Sequence, residues 1–446
     1  MTSITQVESA MTHILTHRAN VLAKETGAIR RVRKFEGADL LHTLVFGWMQ
    51  HPDASLEQLS STAAIAAVQV SDTAVHKRFS KECATFLHAI LEELLKVVVQ
   101  AEMVRPPKVL RRFTAVVVED SSTITLPEEL AQLWRGCGGN QRHTAAALKL
   151  HVRWELLRGR LWGPALTEGR CSDHHSPLAL EELPEGSLYV ADLGYFSLRE
   201  MAQRHRQHRF TLTRLRVGTK LFDQKRKPLA LESGVLPPRV GQMKELRVRV
   251  GAQEQVPMRL LMLRVPKAIA DQRRQDLKAD AQRRQQPVSE EALRLAEWTI
   301  LITDAPAKRL PFQAALVLLR ERWQMELLYK LWKQHGQVDE WRTANPWRAL
   351  CELYAKLIGV VLQHWLIVLF AWQDAQRSLV KLAQVVRDCA GSLMEALAGE
   401  RPLSRVLRLV ERRMHSGCQM NTRKKHPNSA QLLERGQVEW PLSWCE

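Results

Sequence analysis

Two short apolar segments, each followed by an aspartate, constrain the fold of this chain more than any other feature. The first is TAVVV, residues 114–118, followed by Glu119 and Asp120. The second is SLYVA, residues 187–191, followed by Asp192. Apolar runs of this length that are rich in β-branched or aromatic residues are typical of buried strands. We therefore predict a sheet in which two strands end on Asp120 and Asp192.

The order of elements around these strands predicts a mixed α/β sheet. Residues 146–157 and 161–167 have the pattern of two further strands joined by a tight turn. Residues 197–207 are typical of a helix, and residues 209–217 of another strand. In such a fold the first strand and the strand ending on Asp192 can lie side by side. Both aspartates would then emerge where open sheets form their sites.

The segment LRERWQMELLYKLWKQHG, residues 319–336, predicts one helix with an isolated acid among bases. Four charged residues lie on one side of this helix because they are four, four and three positions apart: Arg322, Glu326, Lys330 and Lys333. A solvated, salt-bridged face is the usual explanation of such spacing. Two strand-end aspartates upstream favour a second explanation, a set of three carboxylates.

Three carboxylates from separate elements are what a two-metal phosphoryl-transfer site requires. Mg²⁺ prefers oxygen ligands, and two cations can activate the attacking group and stabilise the leaving oxygen. In this hypothesis Asp120 bridges both metals, while Asp192 and Glu326 each favour one. The neighbouring bases Arg322, Lys330 and Lys333 would contact phosphates.

Other carboxylates compete for these roles. Strand alternation predicts that Glu119 points to the face opposite Asp120. Asp304, which follows the predicted strand at residues 298–303, is a weaker rival for the second acid. Asp173 lies in CSDHHS, residues 171–176, which we interpret as a polar loop rather than a metal site.

Composition narrows the class of partner. The 446 residues carry a formal net charge of +18, which indicates a polyanionic partner such as nucleic acid or an anionic membrane surface. The longest apolar run, residues 357–372, is short for a membrane span and contains Gln363 and His364, so we predict a buried helix. No signal peptide is evident, and seven cysteines without a CxxC pair favour a reduced, cytoplasmic protein.

The chain divides into five predicted segments. They are a helical DNA-binding region (1–105), two parts of a catalytic core (106–217 and 298–345), a β-rich and charged helical insertion between them (218–297) and a helical C-terminal region (346–446). Residues 55–82 resemble a helix-turn-helix, with a first helix beginning near Ser55 and Ser71 capping a second helix that carries Lys77 and Arg78. An ordinary helical hairpin is the alternative.

On these motifs the sequence resembles bacterial insertion-sequence transposases of the DDE type. VVVEDSSTITLP matches the first motif of that family with Asp120, and ADLGYF matches the second with Asp192. The group with a β-rich insertion carries a Tyr-Arg-Glu-Lys signature, to which Arg322, Glu326 and Lys333 correspond. Leu319 stands at the tyrosine position, a departure. We call residues 319–336 the signature helix.

The resemblance implies a ribonuclease H-like catalytic core, two Mg²⁺ or Mn²⁺ ions per site, and cut-and-paste transposition. The partners would be double-stranded DNA, as transposon ends and target, and a second copy of the chain in the synaptic complex, with no membrane. Trp298 matches a family tryptophan that stacks on a flipped base in relatives using a hairpin intermediate; core packing is the alternative. A nuclease without strand transfer and an inactive DNA-binding derivative remain alternative functions.

Overall fold

A nine-stranded mixed sheet forms the centre of the protein. The computed structural model describes residues 2–32, 34–102, 108–138, 145–180, 182–232, 234–321, 323–374 and 376–420. The strands are β1 (Val116–Leu126), β2 (Ala146–Glu155), β3 (Leu161–Glu168), β4 (Leu188–Ala191), β5 (Phe210–Arg214), β6 (Leu221–Phe222), β7 (Met243–Val250), β8 (Val256–Arg264) and β9 (Trp298–Thr303). Their order in the sheet is β3-β2-β1-β4-β5-β9-β8-β7-β6.

Strand directions divide this sheet into a meander, a parallel centre and an antiparallel extension. β1, β2 and β3 pair antiparallel, as predicted, and β4 and β5 lie parallel to β1. The prediction that β1 and β4 are neighbours is thereby confirmed. β9 pairs antiparallel with β5, and β8, β7 and β6 continue the same sheet. The strands between β5 and the signature helix therefore extend the central sheet.

Helices cover the sheet, and many come from the two ends of the chain. The helices are α1 (Ile4–Thr12), α2 (Ala19–Glu25), α3 (Gly37–Gln50), α4 (Leu56–Ile65), α5 (Asp72–His76), α6 (Lys81–Leu95), α7 (Leu198–Arg206), α8 (Lys267–Arg284), α9 (Glu290–Leu295), α10 (Phe312–Glu321), α11 (Trp323–Lys330), α12 (Pro346–Phe370), α13 (Leu379–Asp388), α14 (Ala390–Leu397) and α15 (Leu403–Ser416), with π-helical turns at His13–Arg18 and Leu331–His335.

The apolar helix α12 lies at the centre of the helical layer. It packs against α3 and α6 from the N-terminal part of the chain and against α13 and α15 from the C-terminal part. Among the described residues it is long and apolar enough to cross a membrane, but 94% of its apolar window is buried inside the protein. This agrees with the predicted buried helix. The five predicted segment boundaries stay predictions.

The helix-turn-helix prediction is correct at its caps and wrong about its second helix. The hydroxyl of Ser55 accepts from the Gln58 amide at the start of α4, and that of Ser71 accepts from Ala74 at the start of α5. However, α5 ends at His76, so neither Lys77 nor Arg78 lies on it. The chain turns there because Phe79 is buried and the next residue, Ser80, caps α6.

Candidate active site

The strand register places the two predicted aspartates next to each other. β1 and β4 pair in parallel, with Val118 opposite Val190 and Glu119 opposite Ala191. One further step along both chains brings Asp120 beside Asp192, whose backbone is still extended. Adjacent strands are about 4.8 Å apart, and in-register residues point to the same face. Both carboxylates therefore leave the sheet on one face, and both residues are partly exposed.

Asp120 is not the end of its strand, which corrects one prediction. β1 continues to Leu126 and stays paired with β2 along that whole length. Its partner β4 does end at Ala191, directly before Asp192. Asp120 thus lies where the parallel partner stops, because the chain beyond Asp192 turns into a short 3₁₀ helix at Leu193–Tyr195. The apolar run in the sequence ends at residue 118. The strand nevertheless continues, because buried Ile124 and Leu126 alternate with more exposed residues.

The signature helix crosses β1 beside Asp120. Tyr329, one turn after Glu326, donates its hydroxyl to the carbonyl of Asp120 at 2.9 Å. Lys333, one turn further, donates to the carbonyl of Thr123 at 3.0 Å. Met325, together with Tyr329, is buried in the main core, whereas Glu326 is partly exposed. Glu326 therefore lies three residues before the point at which this helix contacts β1.

This segment is not one continuous α-helix, contrary to the prediction. α11 ends at Lys330, and residues Leu331–His335 form a π-helical turn that carries Lys333. The wider turn accompanies the bond from Lys333 to β1 and the burial of Trp332. Lys330 is exposed, while Lys333 also pairs with Asp339 at 3.6 Å. The predicted phosphate contact Arg322 lies outside the described residues.

Glu119 lies on the opposite face, as alternation predicted, and is held in a buried network. Arg153 contacts its carboxylate at 2.8 Å, and the hydroxyls of Ser176 and Tyr189 each donate to it at 2.9 Å. The side chains of Glu119 and Arg153 are 1% and 3% exposed. Such a satisfied buried pair fixes the strand from behind rather than offering a ligand site.

The remaining rival carboxylates have structural partners. Asp173 accepts from the Ser121 hydroxyl at 2.7 Å and pairs with Lys149 at 3.1 Å, which fastens the polar loop to the back of β1 and β2. Asp304 accepts from the Thr211 amide at 2.6 Å and contacts His205 at 3.0 Å. Because β9 runs antiparallel to β5, Asp304 lies at the sheet edge opposite Asp192.

Trp298 lies toward the same sheet edge as Asp192, at the start of β9. Its indole nitrogen donates to the carbonyl of Pro237 at 2.9 Å, and the guanidinium of Arg264 lies 5.1 Å from the ring centroid. It also lines a cavity of about 960 Å³, together with Leu193 and several arginines, among them Arg216. The structure thus shows how Trp298 packs, and the proposed contact of Trp298 with DNA stays a prediction.

The donor chemistry of the three acids fits a hard divalent cation. Asp120, Asp192 and Glu326 offer carboxylate oxygens, the ligands that Mg²⁺ and Mn²⁺ prefer. All three are partly exposed, so water and phosphate can reach them. Within the described ranges, no three acidic, histidine or cysteine side chains are already clustered as a metal site. The three-acid metal site therefore stays a prediction.

Comparison with known proteins identifies the class. The family described as "Transposase DDE domain" matches residues 111–362, which include β1, β4 and the signature helix. The chain belongs to this family of DDE transposases. Its mixed sheet is consistent with the ribonuclease H-like core that the resemblance implied.

Named relatives place the chain among bacterial insertion-sequence transposases. It is 23% identical to the transposase for insertion sequence element IS231F of Bacillus thuringiensis subsp. israelensis, over 94% of this chain and 92% of that protein. It is 22% identical to the transposase for insertion sequence element IS1151 of Clostridium perfringens, over 88% of each. The resemblance to bacterial insertion-sequence transposases of the DDE type is thereby confirmed.

Sequence reasoning missed Tyr329, the residue that joins the signature helix to β1. Its spacing three residues after Glu326 was visible, and this spacing places the two on neighbouring positions of a helix. Its acceptor, a backbone carbonyl about two hundred positions earlier in the chain, was not. The pKa of Tyr329 is raised well above the ordinary value by burial and by the nearby carboxylates of Asp120, Glu119 and Asp173. The hydroxyl therefore keeps its proton and remains a donor.

Proposed function

We propose that this transposase binds the terminal inverted repeats of its own insertion sequence, cuts the DNA there and joins the freed ends to a target. Asp120, Asp192 and Glu326 would hold two Mg²⁺ or Mn²⁺ ions. The observation that carries the proposal is the parallel register of β1 and β4, which ends at Glu119 opposite Ala191, one residue before each aspartate, beside a helix that bonds to the Asp120 carbonyl. The rival acids fit the site less well, because Glu119 is buried against Arg153 and Asp173 and Asp304 are held by other partners.

The bound cations would supply an activated oxygen nucleophile and stabilisation of the leaving oxygen. The chain's own residues would orient the reacting phosphodiester. Exposed Lys330 is placed one turn after Glu326, where its ammonium can meet a phosphate oxygen. Lys333 is committed in part to Thr123 and Asp339, so it serves both the fold and the phosphate contact in this proposal.

End recognition would come from the N-terminal helices. Lys77 is exposed directly after α5, whereas Arg78 is half-buried, with its guanidinium 5.7 Å from the ring centroid of Phe35. Lys77 therefore suits a phosphate contact better than Arg78 does. Trp298 and the arginines around the cavity would meet DNA near the reacting bond, and pairing of two ends implies at least a dimer on DNA.

The test is metal-dependent cleavage and joining of a DNA fragment that carries the element's flanking inverted repeat. Glu326→Gln should reduce cleavage about a thousandfold or more while end binding in a gel-shift assay is retained. Glu340→Gln, which removes an exposed carboxylate beyond the signature helix, is the matched control and should cleave normally.

Three outcomes separate the alternatives. Wild-type cleavage rates in Glu326→Gln would remove this residue from the site and contradict the proposal. Cleavage by the wild type without any joined product would favour a metal-dependent nuclease. End binding without cleavage by the wild type, in either Mg²⁺ or Mn²⁺, would favour a DNA-binding derivative.

A further inference from the structure

A buried tyrosine hydroxyl connects the signature helix to the strand of the first acid. Tyr329 Oη lies 2.9 Å from the carbonyl oxygen of Asp120 and 3.3 Å from that of Leu150. A hydroxyl has one proton, so the nearer carbonyl of Asp120 is the main acceptor. The ring is 7% exposed and meets Trp332 edge to face, with centroids 5.8 Å apart. The hydroxyl is therefore held in one place by packing.

This bond joins the helix that carries the third carboxylate to the strand that carries the first. Glu326 precedes Tyr329 by three residues, which is about 4.5 Å along a helix axis. A shift or rotation of α11 along β1 would change the separation of the Glu326 and Asp120 carboxylates. Metal sites tolerate ligand displacements of only about 0.2 Å. The contact at Asp120 thus lies where a small movement of α11 would change metal binding most.

The second connection between helix and strand is looser. Lys333 also donates to β1, at Thr123, but its ammonium is shared with Asp339 and its side chain is 28% exposed. A flexible, partly solvated lysine constrains the helix less than a buried aromatic ring does. Of the two bonds to β1, the one from Tyr329 therefore constrains the helix that carries Glu326 more.

We infer that Tyr329 is a positioning residue of the active site, whose hydroxyl sets the spacing between Glu326 and Asp120 and thereby the affinity for divalent metal. The inference rests on the proposed function, in which these two acids share a metal site. Tyr329 itself touches neither metal nor DNA in this account. Its loss should change metal affinity before it changes stability or end binding.

Tyr329→Phe removes the hydroxyl and keeps the ring. Binding of Mn²⁺ to the full chain with an inverted-repeat duplex is measured from the electron paramagnetic resonance signal of free Mn²⁺, beside Mn²⁺-dependent cleavage rates. We expect the half-saturating Mn²⁺ concentration to rise about tenfold or more, with end binding unchanged. Tyr354→Phe is the matched control, since Tyr354 is also buried, at 3% exposed, but its ring centroid lies 5.0 Å from that of His88 in the helical layer. The metal affinity of this variant should equal that of the wild type.

The outcomes test this inference separately from the proposed function on which it rests. A wild type that binds Mn²⁺, beside a Tyr329→Phe variant with the same affinity and cleavage rate, would overturn the positioning role alone. Equal losses in Tyr329→Phe and Tyr354→Phe, matched by equal falls in melting temperature, would also overturn it and indicate a purely structural tyrosine. A wild type that neither binds Mn²⁺ nor cleaves would overturn both proposals.

Discussion

Glu119 and Asp120 are adjacent acids with different environments, and strand alternation separates them. Glu119 faces a buried arginine and two hydroxyls, whereas Asp120 is partly exposed beside Asp192. This division could be predicted because the side-chain period of a strand is two. Tyr329 could not be assigned in the same way, since its role depends on which strand its helix crosses.

These environments predict that two similar substitutions change the stability of the protein by very different amounts. Glu119→Gln leaves the buried Arg153 without its charge partner and should lower the free energy of unfolding by about 3–5 kcal/mol. Asp120→Asn should change it by less than about 1 kcal/mol, because the residue is partly exposed. Urea unfolding at pH 7 measures both. Equal losses of stability would contradict the assignment of Glu119 as structural and Asp120 as functional.

At the scale of elements, local sequence signals predicted where helices begin better than they predicted how long the helices are. Ser55 and Ser71 each cap a helix as expected, since a cap depends on residues within one turn. The second helix of the predicted helix-turn-helix is shorter than expected because burial of Phe79 ends it. The π-helical turn of the signature helix could not be predicted from the sequence either, because it depends on contacts with β1.

Because Lys77 is exposed and lies directly after α5, its proposed contact with DNA can be tested separately. Lys77→Ala should weaken end binding and reduce the slope of log affinity against log salt by about one, as expected for one lost phosphate contact. Lys96→Ala, at the far end of α6, should leave that slope unchanged because Lys96 pairs with Glu93 at 3.3 Å. Fluorescence anisotropy across a salt series measures both. Identical slopes in Lys77→Ala and the wild type would remove Lys77 from the DNA interface.

At the scale of the whole molecule, one apolar core joins the sheet to helices from both ends of the chain. That core contains Leu44 of α3, Val118 of β1, Leu357 of α12 and Leu407 of α15. The sequence identified the apolar runs at residues 114–118 and 357–372, but the pairing of distant segments depends on tertiary packing, which single-segment patterns do not contain. The common core also buries ionisable groups, among them His42 and His364.

Burial of these histidines predicts acid sensitivity. Burial lowers the pKa of His364 from 6.5 to about 4 in the folded chain. The unfolded chain therefore takes up a proton first as pH falls below 6.5, and stability is lost down to about pH 4. Between pH 7 and pH 5 this histidine should cost about 2 kcal/mol.

His364→Gln tests this linkage, because glutamine can still donate to the Gly159 carbonyl, which His364 contacts at 2.7 Å. The loss of unfolding free energy between pH 7 and pH 5 should be about 2 kcal/mol smaller in the variant than in the wild type. The same loss in both proteins would show that His364 is not the titrating group.

Convergence of Asp120, Asp192 and Glu326 on a shared metal site is the central claim, and iron-directed cleavage of the protein tests it most directly. Fe²⁺ takes the same oxygen ligands as Mg²⁺ and, with ascorbate and peroxide, generates radicals that cut the nearby backbone. We expect cuts close to all three acids, each suppressed by excess Mg²⁺ and lost in Glu326→Gln. Cuts confined to the loop around Asp173, or unaffected by Mg²⁺ and by Glu326→Gln, would contradict the claim.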